Sequence, residues 1–113
     1  MKEIKAIIQP HMLHKVLDAL HNCEHFPGVT ISDCQGQGRG RGQSGHFEAT
    51  EESIFFAKKV KLEISCSDEV CDHLVDLVRK AARTGNRGDG IIGVGELISI
   101  ARIRTDQEQE EAV

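Results

Sequence analysis

Tryptophan and tyrosine are absent from this 113-residue chain, and phenylalanine occurs only four times. So few rings leave no repeated platform for stacking bases or sugars, and the core has to be built from Ile, Val and Leu. A basic excess is missing too: 14 Lys and Arg against 18 Asp and Glu give a formal charge of −4. Nucleic-acid binding through a basic face is thereby disfavoured. No apolar run is long enough to span a bilayer, and the opening MKEIKAIIQP lacks the layout of a secretory leader. These features predict a cytoplasmic chain with no direct membrane insertion. Cys23, Cys34, Cys66 and Cys71 lack the C-x-x-C spacing of a zinc site, and the aliphatic content makes a disulfide framework unnecessary. They are expected to be reduced thiols packed as small apolar groups. At this length one domain, residues 1–113, is expected.

What the chain does have is a regular succession of element signals. Residues 2–9, K-E-I-K-A-I-I-Q, are a short aliphatic run stopped by Pro10 and predict a first strand. Pro10 suits a helix start, where its missing N–H costs little. Met12, Leu13, Val16, Leu17 and Leu20 recur at helical spacing and predict a helix from His11 to about Asn22. After a Pro27–Gly28 turn, residues 29–34 alternate as a second strand. Lys58 to Cys66 alternate as a third, with Val60, Leu62 and Ile64 on one face. Ser67 or Asp68 is a good N-cap for a second helix. Its apolar stripe is Val70, Cys71, Leu74, Val75, Val78, Ala81 and Ala82, and it ends near Thr84–Gly85. Residues 91–94 and 97–103 complete the strands, and residues 106–113 form an acidic tail expected to be loose or partner-dependent. The order βαββαβ is the ferredoxin-like plan of an α+β fold. Both helices would cover one sheet face, leaving a bare aliphatic face that predicts a homo-oligomer.

Residues 36–57 interrupt this order with a long loop, a length that compact domains keep for function. Its first part, G-Q-G-R-G-R-G-Q, alternates glycine with polar and cationic residues; glycines admit close backbone approach, and Arg39 and Arg41 can answer phosphate charge. Its second part, H-F-E-A-T-E-E-S-I-F-F, turns acidic and then apolar, which suits docking on a partner. A second glycine cluster, T-G-N-R-G-D-G, follows the second helix. A helix C-cap explains Gly85 but leaves Gly88–Asp89–Gly90, a tight backbone nest suited to phosphate oxygens. Arg102 and Arg104 alternate on the last strand and call for an anionic partner, either a ligand or an acidic side chain.

Taken together, these segments resemble the PII nitrogen-regulatory signal-transduction family over nearly the whole chain. The resemblance rests on K-E-I-K-A-I-I-Q-P, G-V-T-I-S-D-C-Q-G-Q-G-R, K-V-K-L-E-I, A-A-R-T-G-N-R-G-D-G and I-A-R-I-R-T. It implies a homotrimer with nucleotide sites in the clefts between subunits, where ATP and ADP compete, and loops that reach a transporter or enzyme. Membrane association would then come only through a transporter partner. By motif, the adenine side would involve Thr30 and the strand through Glu63 and Ser65. The phosphates would meet Gly36, Gly38, Arg39, Lys59, Gly88, Asp89 and Gly90, with Arg102 and Arg104 arriving from the neighbouring subunit. Arg41, His46, Phe47 and Glu52 would belong to the partner-binding loop.

Departures from the family pattern carry their own expectations. The family's G-F-G-R-Q-K-G-H reads G-Q-G-R-G-R-G-Q, so Gly40 stands where a glutamine helps to hold magnesium and 2-oxoglutarate. Glycine has no side-chain oxygen, which argues against sensing 2-oxoglutarate through magnesium. Glu52 stands where the family tyrosine accepts a nucleotidyl group, and a chain without tyrosine excludes that modification. Ile91 replaces the lysine that commonly follows G-D-G, removing a charge from the phosphate site and favouring weaker binding or a preference for ADP or AMP over ATP.

His11, His14, Asp18 and His21 fall in one sector of the first helix, away from its core face. They read either as a solvated face or as a zinc or copper site. The second reading makes the chain a metal-responsive PII-like protein, since one divergent branch of the family is associated with heavy-metal efflux. An enzyme is disfavoured: Ser44 and His46 have no third group to orient them.

Overall fold

The structure, a computed structural model, describes residues 1–38 and 56–113. Strand β1 spans Lys2–Ile8, and its alternation sends Ile4, Ala6 and Ile8 to one side, where they are buried. Pro10 opens a single 3-10 turn, Pro10–Met12, before helix α1, Leu13–His21. The expected helix from His11 is thus split: its first residues follow the tighter 3-10 winding, and only the remainder is α-helical. Gly28, at φ 105°, turns the chain into β2, Thr30–Gly36. Strand β3, Ala57–Cys66, is the longest and alternates most cleanly, with Val60, Leu62, Ile64 and Cys66 buried. Gly36 pairs with Ala57, so the ladder closes at the two ends assigned to the long loop.

Helix α2, Asp68–Ala82, buries Cys71, Leu74, Val78 and Ala82 at the expected spacing. Ser67 occupies the N-cap position but makes no capping hydrogen bond through its side chain; Asp68 and Glu69 in the first turn supply the negative charge that a helix start favours. Strand β4, Gly90–Glu96, follows. The sheet is antiparallel in the order β2-β3-β1-β4, the ferredoxin-like arrangement. Core residues from β1, β3, α1 and α2 form one cluster between the helices and one sheet face.

Three expectations are corrected here. Residues 97–103 are not a strand: beyond β4 the described chain makes only the isolated bridge Ala101↔Glu108, and Ile100 and Arg102 bond to residues 106–109 instead of to a sheet edge. Arg102 and Arg104 therefore do not alternate on a strand. They sit around a turn in which Arg102 N–H donates to Gln107 O and Asp106 N–H donates to Arg102 O. The acidic tail is not loose either, since Gln109–Ala112 form a 3-10 turn and Ala112 is buried. Finally, the sheet face opposite the helices is polar, not aliphatic. The strand register puts Glu3 and Lys5 of β1, Lys59, Lys61, Glu63 and Ser65 of β3, and Thr30, Ser32 and Cys34 of β2 on it, with Ile7 of β1 and Ile91 of β4 the aliphatic exceptions. Exposed aliphatic side chains are Ile91, Val94, Ile98 and Ile103, on the edge strand β4 and just beyond it, and Ile31 on the other edge strand, β2.

Candidate functional site

Both expected binding clusters hang on the polar face of β3, one at each end. At the β3 start, β1 ends against β4 with Ile8 opposite Gly90. Gly90 has φ 110°, and a Cβ there would collide with the Ile7 carbonyl oxygen, so only glycine lets β4 begin so close to β1. Gly88 is also left-handed, and a Cβ on it would lie 2.8 Å from Gln9 Nε2. Lys59 reaches across the end of β1 and donates from Nζ to Gly88 O at 2.7 Å. This bond uses one of the three ammonium hydrogens. Gly36, at the end of β2, lies beside the Lys59 stem. Gly38 is the last described residue before the loop. The structure therefore brings together Gly36, Lys59, Gly88 and Gly90, with Gln9, which the sequence did not single out.

The Asp89 side chain turns back onto the turn that carries it. Its carboxylate accepts hydrogen bonds from Thr84 N at 2.9 Å, from Gly85 N at 3.0 Å and from the Thr84 hydroxyl. These bonds, the Thr84 side chain first, hold its pKa below the usual carboxylate value. Asp89 thus braces the 84–89 turn from inside. A Thr and an Asp flanking glycines are a turn signal in sequence, and Thr84 could have been read from it.

At the far end of β3, a cavity of about 410 Å³ is lined by Thr30, Glu63, Ser65, Arg102, Glu3 and Ala112, among others. That volume is within the range of small-molecule sites. Glu3 and Glu63 supply carboxylates here that can accept hydrogen bonds from an amine, beside the cationic Arg102. Arg102 Nε donates to Ala112 O at 2.8 Å. Arg102 is among the residues that line this cavity. Arg104 is exposed and is not among the lining residues. Between the two ends Lys61 pairs with Glu63 at 3.3 Å. Lys59 and Glu63 are four strand steps apart, roughly 13 Å, so the β3 track carries an ammonium group at one end and a carboxylate at the other.

Arg39, Gly40, Arg41, His46, Phe47 and Glu52 lie outside the described residues. His11, His14, Asp18 and His21 are all exposed, but among the described residues no group of three or more His, Cys, Asp or Glu is placed to hold a metal. Two causes are visible. His11 is on the 3-10 turn, out of angular step with α1, and the His21 ring packs edge-on against Phe26 with centroids 5.3 Å apart. The metal-responsive reading is set aside.

No helix among the described residues is long and apolar enough to cross a membrane. The family model for nitrogen regulatory protein P-II matches residues 1–107. Nitrogen regulatory protein P-II of Microchaete diplosiphon is 40% identical over 113 residues, covering all of both chains, and that of Synechocystis is 39% identical over the same span. Nitrogen regulatory protein GlnK of Escherichia coli is 38% identical, again over the full length of both. A four-stranded βαββαβ sheet with glycine-built ends, together with this full-length similarity, makes the chain a member of the P-II family of nitrogen regulatory proteins.

Proposed function

We propose that the chain is a non-catalytic, nucleotide-responsive regulator that binds ATP or ADP and controls a transporter or enzyme in nitrogen regulation. The observation that supports this reading most is the polarity of the β3 track. Lys59 beside the Gly88–Gly90 turn suits a phosphate chain, and the cavity at Thr30, Glu63 and Ser65 suits an adenine. A nucleotide laid along β3 would present its base to Glu63 and its phosphates to Lys59. Asp89 would act by fixing the turn, and Arg102 by answering charge at the cavity mouth. The working unit would be a cytoplasmic homotrimer, with residues 36–57 reaching the target. Ile91 offers no charge to the phosphates, which favours ADP or AMP relative to ATP, and Gly40 removes a side-chain ligand for magnesium and 2-oxoglutarate.

Calorimetric titration with ADP, ATP and AMP, with and without magnesium and 2-oxoglutarate, tests the reading. Saturable ADP or ATP binding that ignores 2-oxoglutarate is expected. Lys59→Ala should weaken ADP by roughly tenfold, the size of one charge-assisted hydrogen bond. Failure of every adenine nucleotide to bind would overturn the proposal.

A further inference from the structure

Glu3, to which the sequence assigned no binding role, lines the same cavity as Thr30, Glu63 and Ser65. It stands on an inner strand, β1, where the register sets it opposite Ser65 of β3 on one side and Gly95 of β4 on the other. A Cβ added at Gly95 would meet nothing within 4 Å, so no side chain of β4 screens Glu3 at that position. Glu3 itself is half-buried.

The two carboxylates of the cavity differ in what already holds them. Glu63 pairs with Lys61 at 3.3 Å, whereas Glu3 makes no hydrogen bond or ion pair among the described residues. A carboxylate on a cavity wall loses water when a ligand enters. That loss is offset only where the ligand brings a donor to it.

We propose that Glu3 selects the base, accepting a hydrogen bond from the exocyclic amine of adenine and rejecting a base that presents a carbonyl oxygen in its place. This rests on the nucleotide reading above. A carboxylate only accepts. The free ring nitrogens of adenine in a nucleotide also only accept, so its amino group is the one donor the base can bring to Glu3. Hypoxanthine keeps the shape of adenine but replaces that amine by an oxygen, which sets acceptor against acceptor. A site built to pair with a donor discriminates strongly against an analogue that lacks it, because its own polar group is then left unpaired.

The test is calorimetric titration of the unaltered chain and of Glu3→Gln with ADP, IDP and GDP. The glutamine amide keeps an acceptor and adds a donor. The unaltered chain should prefer ADP over IDP by at least roughly tenfold, the scale of one hydrogen bond to a charged group. In Glu3→Gln that preference should shrink to within about threefold, chiefly because IDP binds more tightly. A loss of the same factor for ADP and IDP in Glu3→Gln would overturn the proposal, since it marks a residue that only supports the strand. Equal binding of ADP and IDP by the unaltered chain would overturn it and leave the nucleotide reading in place. GDP bound as tightly as ADP would overturn it too, because guanine then places its own donors on the carboxylate. Binding of none of the three nucleotides would overturn both proposals.

Discussion

Glycine at position 90 is required by its surroundings as well as its own dihedral. Gly90 and Gly85 both have positive φ, but a Cβ at Gly85 meets open space, whereas at Gly90 it strikes the Ile7 carbonyl. Gly85→Ala should cost about 1 kcal/mol and Gly90→Ala about 3 kcal/mol or more, read from urea unfolding. Similar losses at the two sites would mean that β4 does not start as close to β1 as described. Asp89 makes a second case at this scale. Its folded pKa is depressed, chiefly by the Thr84 hydroxyl, so its contribution to stability is present above the ordinary carboxylate value and is lost as pH falls through the lower folded value. In Asp89→Asn, the amide oxygen can still accept from Thr84 N–H and Gly85 N–H, which share one carboxylate oxygen, but the amide nitrogen then faces the Thr84 hydroxyl, and the charge that strengthens all three bonds is gone. Thermal melts between pH 6 and pH 3 should lose this acid-dependent step in Asp89→Asn. The variant should also be less stable than the unaltered chain at neutral pH. An unchanged acid profile would remove Asp89 from its bracing role.

Elements were legible in the sequence where one face meets the core. β3 alternates from residue 60 to residue 66, and α2 repeats its buried residues at helical spacing, so both could be read from pattern alone. Residues 97–103 carry a strand-like pattern, L-I-S-I-A-R-I, but pattern does not say what the backbone will bond to, and here Ile100 and Arg102 bond to residues 106–109 instead of to a sheet edge. The polar sheet face was equally present as Lys5, Lys59, Lys61 and Glu63, yet it emerges only when register sets β1 beside β3. The tail was hidden for a related reason: its docking depends on Ala112, outside every motif, and on Arg102, whose motif does not disclose a contact with the tail. Where β3 meets α2, Cys66 is fully buried, and burial first, then the nearby Cys71 thiol, pushes its pKa up to about 11. Because the folded value is the raised one, this thiol's contribution to stability is complete below the unfolded thiol value and is lost as pH rises toward the folded one. At neutral pH, iodoacetamide should modify the half-buried Cys23 and Cys34 well before Cys66 and Cys71. Mass mapping that finds Cys66 alkylated first would contradict the packing of the β3–α2 junction.

For the whole molecule, the distribution of apolar surface decides how subunits would meet. The face opposite the helices carries lysine and glutamate, so burying it blindly would strand charge. Ile91, Val94, Ile98 and Ile103 are 50% to fully exposed and belong to the β4 edge and the segment after it. An edge strand with unpaired backbone groups and exposed aliphatic residues is a strong template for pairing with another copy. Assembly through this edge would let the polar faces of three subunits turn toward one another across a hydrated interior, keeping Lys5 and Lys61 solvated. Sedimentation velocity should then give three times the 12.5 kDa chain mass. Val94→Asp with Ile98→Asp should shift the boundary toward monomer. Its far-ultraviolet spectrum should stay unchanged, because neither side chain contributes to the buried core of one chain. The same variant separates assembly from ligand binding. If Arg102 serves its own chain, the dissociated subunit should retain measurable ADP affinity; if it serves a neighbour, affinity should fall with the trimer.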